Sequence, residues 1–318
     1  MVMIQNLSLF LLSGLFLVVS GIYLVKSLEQ IARFLRISEF TAAFILIAFA
    51  TSIPELFVGV SSAIQGTPAI SMGNIIGANV LDLTLITGIF IVLARRIKFK
   101  TEKVGVGVYY MFASILLLLI LYLIGNSLSR IDGVILVSLF SLNAYRIFRK
   151  RERYPAKFEN SSNRYKGILY TAIFIFSLIV LFLSSNYAVK YAELIAIDLN
   201  FPEIIIGIFL VSIATTLPEL IFGINAVRAK HPEMAIGDQT GTIFTNIALI
   251  LGIVSIISPI TVSYVPFLIS TSFMLLSAFL FVTFVQSNRR LDLTEGISLI
   301  LLYVFFVLLQ FFVVTKLQ

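Results

Sequence analysis

The chain has 318 residues, of which 59% are hydrophobic and only 12% are charged, about half the roughly 25% charged fraction of an ordinary globular protein. This composition excludes a soluble protein. The absence of cysteine from the sequence excludes disulfide bonds and thiolate metal sites. The net charge of +7 could suggest a nucleic-acid partner, but the positions of the basic residues argue against one.

Apolar runs of roughly 20 residues recur along the whole chain, and each is long enough to cross a hydrocarbon core of about 30 Å as a helix. They predict an all-α polytopic membrane protein. The first run has neither a basic start nor a small-residue cleavage site, so we expect a retained helix and not a signal peptide. Ten transmembrane helices are predicted near residues 5–25, 39–64, 69–94, 104–124, 131–148, 167–186, 202–227, 233–257, 264–286 and 295–315.

Basic residues are concentrated on one side of the predicted bundle. All 23 Lys and Arg residues except Arg130, Lys190 and Lys316 fall in alternate connections between spans. Because positive charge marks the cytoplasmic side, both termini are predicted to lie outside. The basic excess therefore orients the chain in the cell membrane and attracts anionic lipid, and no nucleic-acid role is expected.

The longest polar connection lies at the middle of the chain. It reads RIFRKRERYPAKFENSSNRYK over residues 146–166, which is too short for a folded sensor domain. We expect a solvated cytoplasmic linker over residues 149–166. It would join a first five-helix unit, 1–148, to a second, 167–318.

The two halves repeat each other at one constant shift along the chain, called the repeat offset below, which places Thr51 on Thr215. The same shift gives the pairs Pro54/Pro218, Glu55/Glu219, Leu56/Leu220, Gly59/Gly223, Gly73/Gly237, Gly77/Gly241 and Gly88/Gly252. Because each half has an odd number of spans, the two copies enter the membrane in opposite directions. The sequence therefore predicts an inverted repeat, and in transporters the axis of such a repeat passes through a site near the midplane.

Each copy places a proline beside paired hydroxyls and a glutamate. Pro54 and Pro218 each leave the carbonyl four residues back without its helical hydrogen bond, and in lipid that carbonyl needs another partner. We therefore predict a broken helix in each copy. The break would offer bare carbonyls, hydroxyls and one carboxylate within about two helical turns.

The next helix of each copy adds a polar face. Two trios of residues recur at intervals of four, so that each trio shares one face of its helix; they are Asn74, Ala78, Asp82 and Asp238, Thr242, Asn246. Glycines spaced four apart allow neighbouring helices to approach closely. The pooled donors are oxygens, which Ca²⁺ prefers. Buried carboxylates cost about 2.5–3.5 kcal/mol each, so we expect these to neutralise a cation or take up protons.

The blocks TSIPEL and GNIIGANVLD of the first half, with TTLPEL and GDQTGTIFTN of the second, resemble the alpha-1 and alpha-2 repeats of the cation/calcium exchanger superfamily. The likeness is greatest to the sodium/calcium exchanger branch, and the whole architecture is similar to that of its archaeal members. At motif level the match is confined to residues 48–88 and 212–252. The resemblance implies Ca²⁺ at a central site and Na⁺ around it, exposed alternately to each side.

The resemblance also implies the ligands. Each repeat of the family supplies a glutamate, an Asn or Asp, hydroxyls and backbone carbonyls, which correspond here to Glu55, Glu219, Asp82, Asn246, Thr51, Ser52, Thr215, Thr216 and Thr242 and to the carbonyls of Ala48 and Ser212. Asp238 stands where the family usually has Asn. It is either a further site acid or an acid nearer the cytoplasmic mouth.

Three further positions depart from the family pattern. Ala78 replaces a serine and so removes one hydroxyl donor, while Asp82 and Asn246 exchange the familiar archaeal order of Asn and Asp. Since these two positions face each other across the expected pseudo-axis, the total carboxylate charge is unchanged. We expect binding to survive the exchange, with an effect on ion preference and coupling.

We therefore expect a monomeric secondary antiporter that exports Ca²⁺ against inward Na⁺, with no enzymatic activity and no cofactor. The alternatives are a proton-coupled antiporter of Ca²⁺ or another divalent cation, a passive cation channel and an intramembrane hydrolase. Glycine stands in GNIIGAN where proton-coupled relatives tend to place glutamate, and no Ser/His or HExxH constellation appears in the sequence. The simpler alternative for Glu55 and Glu219 is a protonated acid within the bundle, and for Asp82 and Asn246 it is helix packing.

Overall fold

A computed structural model describes residues 2–34, 48–98, 102–149, 164–228, 232–288 and 290–317. The α-helices within these ranges are α1 (Val2–Phe34), α2 (Ala48–Thr51), α3 (Ile53–Gln65), α4 (Pro68–Leu81), α5 (Thr87–Ala94), α6 (Glu102–Gly125), α7 (Arg130–Arg149), α8 (Arg164–Leu199), α9 (Glu203–Ile206), α10 (Ser212–Arg228), α11 (Pro232–Thr245), α12 (Gly252–Ile257), α13 (Tyr264–Asn288) and α14 (Leu293–Leu317). Three π-helical turns lie at Asp82–Ile86, Gly207–Val211 and Asn246–Leu251, and two short strands are β1 (Arg96–Lys98) and β2 (Arg290–Asp292).

Eight stretches of the described residues are long and apolar enough to cross a membrane, which confirms a polytopic all-helical membrane protein. They are 3–24, 68–94, 107–125, 167–199, 203–228, 235–257, 264–286 and 293–313. The predicted span 131–148 coincides with α7, which is not among the eight. The predicted span 39–64 is described only from residue 48 onward. Ten spans therefore remain a prediction.

The helix α8 is longer than the sequence suggested. We predicted a span over 167–186, whereas the helix continues to Leu199. Polar side chains near the end of the predicted span bond back to carbonyls of their own helix. Asn186 donates to the carbonyl of Phe182 at 2.9 Å, and Ser185 donates to the same carbonyl at 2.9 Å. These bonds satisfy the polar side chains without ending the helix.

The spans differ in how deeply they are buried, and this difference locates the core. The spans 68–94 and 235–257 are the most enclosed, while 167–199 and 293–313 are the most exposed. The helix α1 packs along α8, away from the two enclosed spans. The two polar helices predicted from the repeat are thus central to the bundle, and the uniformly apolar helices surround them.

Glycines permit a close crossing between the two halves. A Cβ atom at Gly73 would lie closer than 3.0 Å to the backbone of Ile204, and one at Gly77 would meet the backbone of Ile208 in the same way. A Cβ at Gly207 would in turn collide with the backbone of Ile70. The close approach that was predicted for Gly73 and Gly77 is confirmed. It brings α4 against the segment that leads into α10.

Two short strands, which the sequence did not indicate, join the halves. Strand β1 pairs antiparallel with β2, so that Arg96 lies opposite Asp292. A single antiparallel bridge elsewhere joins Leu128 to Ile260. The repeat offset relates the two pairings, because it places Arg96 on Ile260 and Leu128 on Asp292.

The β1–β2 pairing is held by charge. The Nε of Arg96 donates to Oδ1 of Asp292 at 2.5 Å, and the Nε of Arg290 lies 3.0 Å from Oδ2. The hydrogen bond from Arg96, assisted by the charges of both guanidinium groups, lowers the pKa of Asp292 below its ordinary 3.8. A lowered carboxylate pKa stabilises the contact above the unfolded-state value, and the stabilisation is lost as pH falls through the folded-state value.

We expect amide hydrogen exchange to report this dependence. Protection of the β1 amides should be constant between about pH 8 and about pH 5, and should fall once the pH drops through the lowered pKa of Asp292. The variant Asp292→Asn should have reduced protection across the whole range. The Leu128–Ile260 bridge serves as an internal control, because its exchange should not respond to the variant. Equal protection of β1 in both proteins at neutral pH would contradict the prediction.

Candidate functional site

The first proline block interrupts its helix. Helix α2 ends at Thr51, Ser52 takes φ −77° and ψ −1°, and α3 begins at Ile53. Pro54 therefore lies in the first turn of α3, where a missing N–H is not required for helical bonding. Glu55 lies in the same turn, where the helix dipole favours a negative charge. The prediction of a broken helix is confirmed here.

The second proline block, unlike the first, does not interrupt its helix. Pro218 lies inside α10, which runs without a break from Ser212 to Arg228. The irregular turn of this helix comes earlier, at Gly207–Val211, and is π-helical. The prediction of a break at Pro218 is therefore wrong. The helix continues because Pro218 removes only the one hydrogen bond to the carbonyl of Ala214, and the residues on both sides of it remain helical.

Four carboxylates are buried in the middle of the bundle. Glu55, Asp82 and Glu219 are fully buried, and Asp238 is 3% exposed. Their eight oxygens meet no donor with full hydrogen-bond geometry in the described part of the chain. Hydroxyls do approach two of the acids, since Thr215 is near Glu55 and Thr51 is near Asp238. Thr215 thus offers Glu55 a partner for the simpler alternative, a protonated acid inside the bundle, whereas no described side chain approaches Glu219 in this way.

The carboxylates are close enough to repel one another. Charge interactions join Glu219 to Glu55, Asp82 and Asp238, and they join Asp82 to Glu55 and Asp238. No Lys or Arg is buried among the described side chains to compensate them. A buried charge without a counter-charge is costly in a low-dielectric interior. The cluster therefore requires cations or protons.

Hydroxyl and amide contacts join the two halves at this cluster. Thr51 Oγ1 lies 3.2 Å from Thr242 Oγ1, and Thr215 Oγ1 donates to Asn74 Oδ1 at 3.0 Å. In both contacts a threonine beside the proline of one half meets the polar helix of the other half. Thr51 is therefore brought to Thr242, and Thr215 is brought to Asn74 on the polar helix of the other half.

Thr216 and Ser212, two further predicted oxygen donors, are buried and engaged locally. Thr216 Oγ1 donates to the carbonyl of Ser212 at 2.8 Å, and Thr215 Oγ1 also reaches this carbonyl at 3.2 Å. The hydroxyl of Ser212 donates to the carbonyl of Ile208. Ser52 is 1% exposed, and Ala48 begins α2. A donating hydroxyl keeps its lone pairs, so these oxygens can still face a cation.

The helix geometry changes at the exchanged pair. One π-helical turn begins at Asp82 and another begins at Asn246, the two positions that the repeat offset places on each other. The Thr87 hydroxyl donates to the carbonyl of Asp82 at 2.6 Å. Single π turns inside α-helices are frequent at functional sites. Both turns were missed, because no residue type in the sequence marks them.

Two asparagines were missed as members of the cluster. Asn74 was identified only as a face residue, and Asn79 was not considered. Both are fully buried, and Asn246 Nδ2 donates to Asn79 Oδ1 at 3.1 Å. A signal for Asn74 existed in its alignment with Asp238 at the repeat offset. Asn79 had no such signal, since it aligns with Ile243.

The cluster suits a hard cation that is shared by many oxygens. No three His, Cys, Asp or Glu side chains in the described ranges are close enough to hold a metal ion by themselves. A cation would therefore need hydroxyl, amide and carbonyl oxygens in addition to carboxylates. Ca²⁺ accepts such mixed shells of six to eight oxygens. Chemically, the arrangement can replace the water around an ion within the bilayer.

Comparison with known proteins gives a consistent result. A family model described as sodium/calcium exchanger protein matches residues 6–149 and 169–312. The sodium/calcium exchanger MaX1 of Methanosarcina acetivorans is 26% identical over an alignment of 348 positions, gaps included. The alignment covers 97% of this chain and 99% of the relative. The family match thus covers most of the chain, in two segments of similar length.

Two solved structures share the fold. The sodium-calcium exchanger NCX_Mj matches with a TM-score of 0.67 at 23% identity, covering 96% of this chain and 98% of its own. The H⁺/Ca²⁺ exchanger CAX matches with a TM-score of 0.81 at 18% identity, covering 95% and 82%. At these identities the likeness establishes the fold and does not distinguish the coupling ion.

Proposed function

We propose, because the chain belongs to the sodium/calcium exchanger protein family, that it exchanges Ca²⁺ for Na⁺ by alternating access at the buried carboxylate cluster. Membership makes it a multi-pass membrane cation/Ca²⁺ antiporter and not an enzyme. The observation that carries the proposed cation site is the set of eight buried carboxylate oxygens, with no buried Lys or Arg among the described residues to compensate them. Such a cluster is stable only when an ion or a proton occupies it.

The proposed site includes every ligand predicted from the sequence. The carboxylates and the amide are Glu55, Asp82, Glu219, Asp238 and Asn246; the hydroxyls are Thr51, Ser52, Thr215, Thr216 and Thr242; the carbonyls are those of Ala48 and Ser212. All belong to one chain, which supports a monomer as the transport unit. Ca²⁺ would lie among the carboxylates, and Na⁺ would use the hydroxyl and carbonyl oxygens at the edge.

The proposed architecture is ten helices in two inverted five-helix units, 1–148 and 167–318, with both termini outside. Pairs of contacts related by the repeat offset support it. Besides the two strand pairings, a Cβ at Gly59 would meet Val254, and a Cβ at the equivalent Gly223 would meet Phe90, which is equivalent to Val254. Internal symmetry of this kind provides two matched gates for alternating access.

Proton coupling is the second candidate. Four carboxylates that lack full hydrogen-bond partners can take up protons as well as metal ions. The two candidates differ in which gradient drives Ca²⁺, and not in the site. A passive channel differs from both, because it would move Ca²⁺ without any counter-ion.

Flux in proteoliposomes separates these possibilities. Vesicles loaded with Na⁺ and diluted into Na⁺-free medium should accumulate radioactive Ca²⁺ at constant pH, because outward Na⁺ movement drives the exchange. Vesicles loaded with K⁺ at the same pH, and empty liposomes, are the controls and should not accumulate it. Accumulation driven by a pH gradient without Na⁺ would replace sodium coupling by proton coupling. Equal Ca²⁺ entry into Na⁺-loaded and K⁺-loaded proteoliposomes, without entry into empty liposomes, would indicate a channel.

A further inference from the structure

We infer that Asn79 positions the carboxamide of Asn246 so that its oxygen, and not its nitrogen, faces the transported ion. Asn79 is not one of the proposed ligands. It would act through Asn246 and contribute to the selectivity of the site for cations. The inference rests on the proposed function.

The hydrogen bond between the two residues assigns the orientation of Asn246. A carboxamide has a donating end and an accepting end that differ little in shape. The Nδ2 of Asn246 donates to Oδ1 of Asn79 at 3.1 Å, while Oδ1 of Asn246 is buried without a donor. The free end is therefore the oxygen, the only end that can bind a cation. A rotated amide would instead present N–H groups to the ion.

Asn79 is itself oriented by a third helix. Its Nδ2 lies 3.7 Å from Sδ of Met274, and Met274 belongs to α13, outside both polar blocks. Sulfur is a weak acceptor, but it occupies the donating end of Asn79 and leaves Oδ1 toward Asn246. All three residues are fully buried, so water does not compete for these contacts.

The repeat supplies this residue only where it is needed. The repeat offset places Asn79 on Ile243 and Asp82 on Asn246. A carboxylate such as Asp82 has two accepting oxygens and needs no partner to choose between its ends. An amide needs one. The half that carries the ligand Asp82 thus also carries the orienting Asn79, whose amide is directed across to Asn246.

Calcium binding to the purified protein tests the inference. The variant Asn79→Leu should bind Ca²⁺ about 10- to 100-fold more weakly, the usual effect of removing a group that orients a metal ligand. The matched control Ile243→Leu exchanges one fully buried apolar residue for another at the equivalent position and should change affinity by less than about 3-fold. In transport, Asn79→Leu should raise KM for Ca²⁺ and leave the maximal rate within about 3-fold.

The same substitution made in the Asn246→Asp variant shows whether Asn79 acts by orienting Asn246 or only by packing. In Asn246→Asp the donating nitrogen is gone, so adding Asn79→Leu should weaken Ca²⁺ binding by less than about 3-fold. If the full loss persists in that background, Asn79 acts through packing and the inference is wrong. Unchanged affinity of Asn79→Leu in an otherwise normal protein would also overturn it.

The near-isosteric variant Asn79→Asp covers the case in which Asn79→Leu does not fold. It keeps an acceptor for Asn246 Nδ2, so it should bind Ca²⁺ at least as tightly as the unaltered protein. Weaker binding by about 10-fold or more would overturn the inference. An unaltered protein that binds no Ca²⁺ would refute the proposed function itself, which is a different result from normal binding that is insensitive to Asn79.

Discussion

Glu55→Gln and Glu219→Gln should each abolish measurable Ca²⁺ exchange. Both carboxylates are fully buried within the charge cluster, so each would meet a bound cation without intervening water. Removing one partner of a buried ion pair costs about 3–5 kcal/mol, which corresponds to a loss of about two to three and a half powers of ten in Ca²⁺ affinity. The measurement is sodium-driven Ca²⁺ uptake together with equilibrium Ca²⁺ binding.

The same variants should make the ion-free protein no less stable. Each ionised acid costs about 2.5–3.5 kcal/mol within the membrane, and glutamine of similar size removes that cost. Thermal unfolding without Ca²⁺ should therefore occur at an equal or higher temperature, while the stabilisation by added Ca²⁺ disappears. The control Glu193→Gln alters an incompletely buried acid of α8 and should leave transport unchanged. Normal exchange by Glu219→Gln would show that Glu219 is not a required ligand.

The chemistry of the site could be predicted because it is encoded locally. The repeat offset identified Glu55 and Glu219 from residue types alone. A carboxylate within an apolar membrane span is costly, so it usually has a function. The positions of most spans were equally accessible, since helix α13 begins at Tyr264 as expected. The predictions of the two glutamates and of the spans depend only on short stretches of sequence and on the lipid environment that the composition indicates.

Features that depend on distant neighbours were not predictable in this way. The π turns at Asp82 and Asn246 replace helical bonds with bonds one residue longer, a choice decided by the packing around them. The pairing of Arg96 with Asp292 joins residues 196 apart. Asn79 acquires its role only because Asn246 lies opposite it. A sequence pattern describes one face of one helix, whereas these features arise from contacts between two separate elements.

The site also depends on the spacing of helices that carry no ligand chemistry. The contact between Thr215 and Asn74 exists because α4 crosses the second half at glycines. The two halves could bring the same oxygens together at a wider spacing only with longer side chains. The glycines are therefore as necessary to the proposed cation site as the acids, and they act through distance alone.

Gly73→Ala should prevent the native packing of the two halves. The added Cβ would lie closer than 3.0 Å to the backbone of Ile204, which cannot rotate away as a flexible side chain would. Overpacking usually costs about 1–3 kcal/mol, and a collision with backbone should reach or exceed the upper end. We expect loss of the monodisperse folded protein on size exclusion, or unfolding at a much lower temperature.

Gly14→Ala is the matched control for this collision. It makes the same chemical change inside the spanning helix α1, where the new Cβ would lie 3.8 Å from Ala214 in ordinary contact. Folding should be unaffected or slightly improved, because alanine stabilises a helix relative to glycine by about 0.5–1 kcal/mol. If Gly73→Ala folds and transports like Gly14→Ala, the halves do not need the close crossing, and the spacing that brings Thr215 to Asn74 must have another cause.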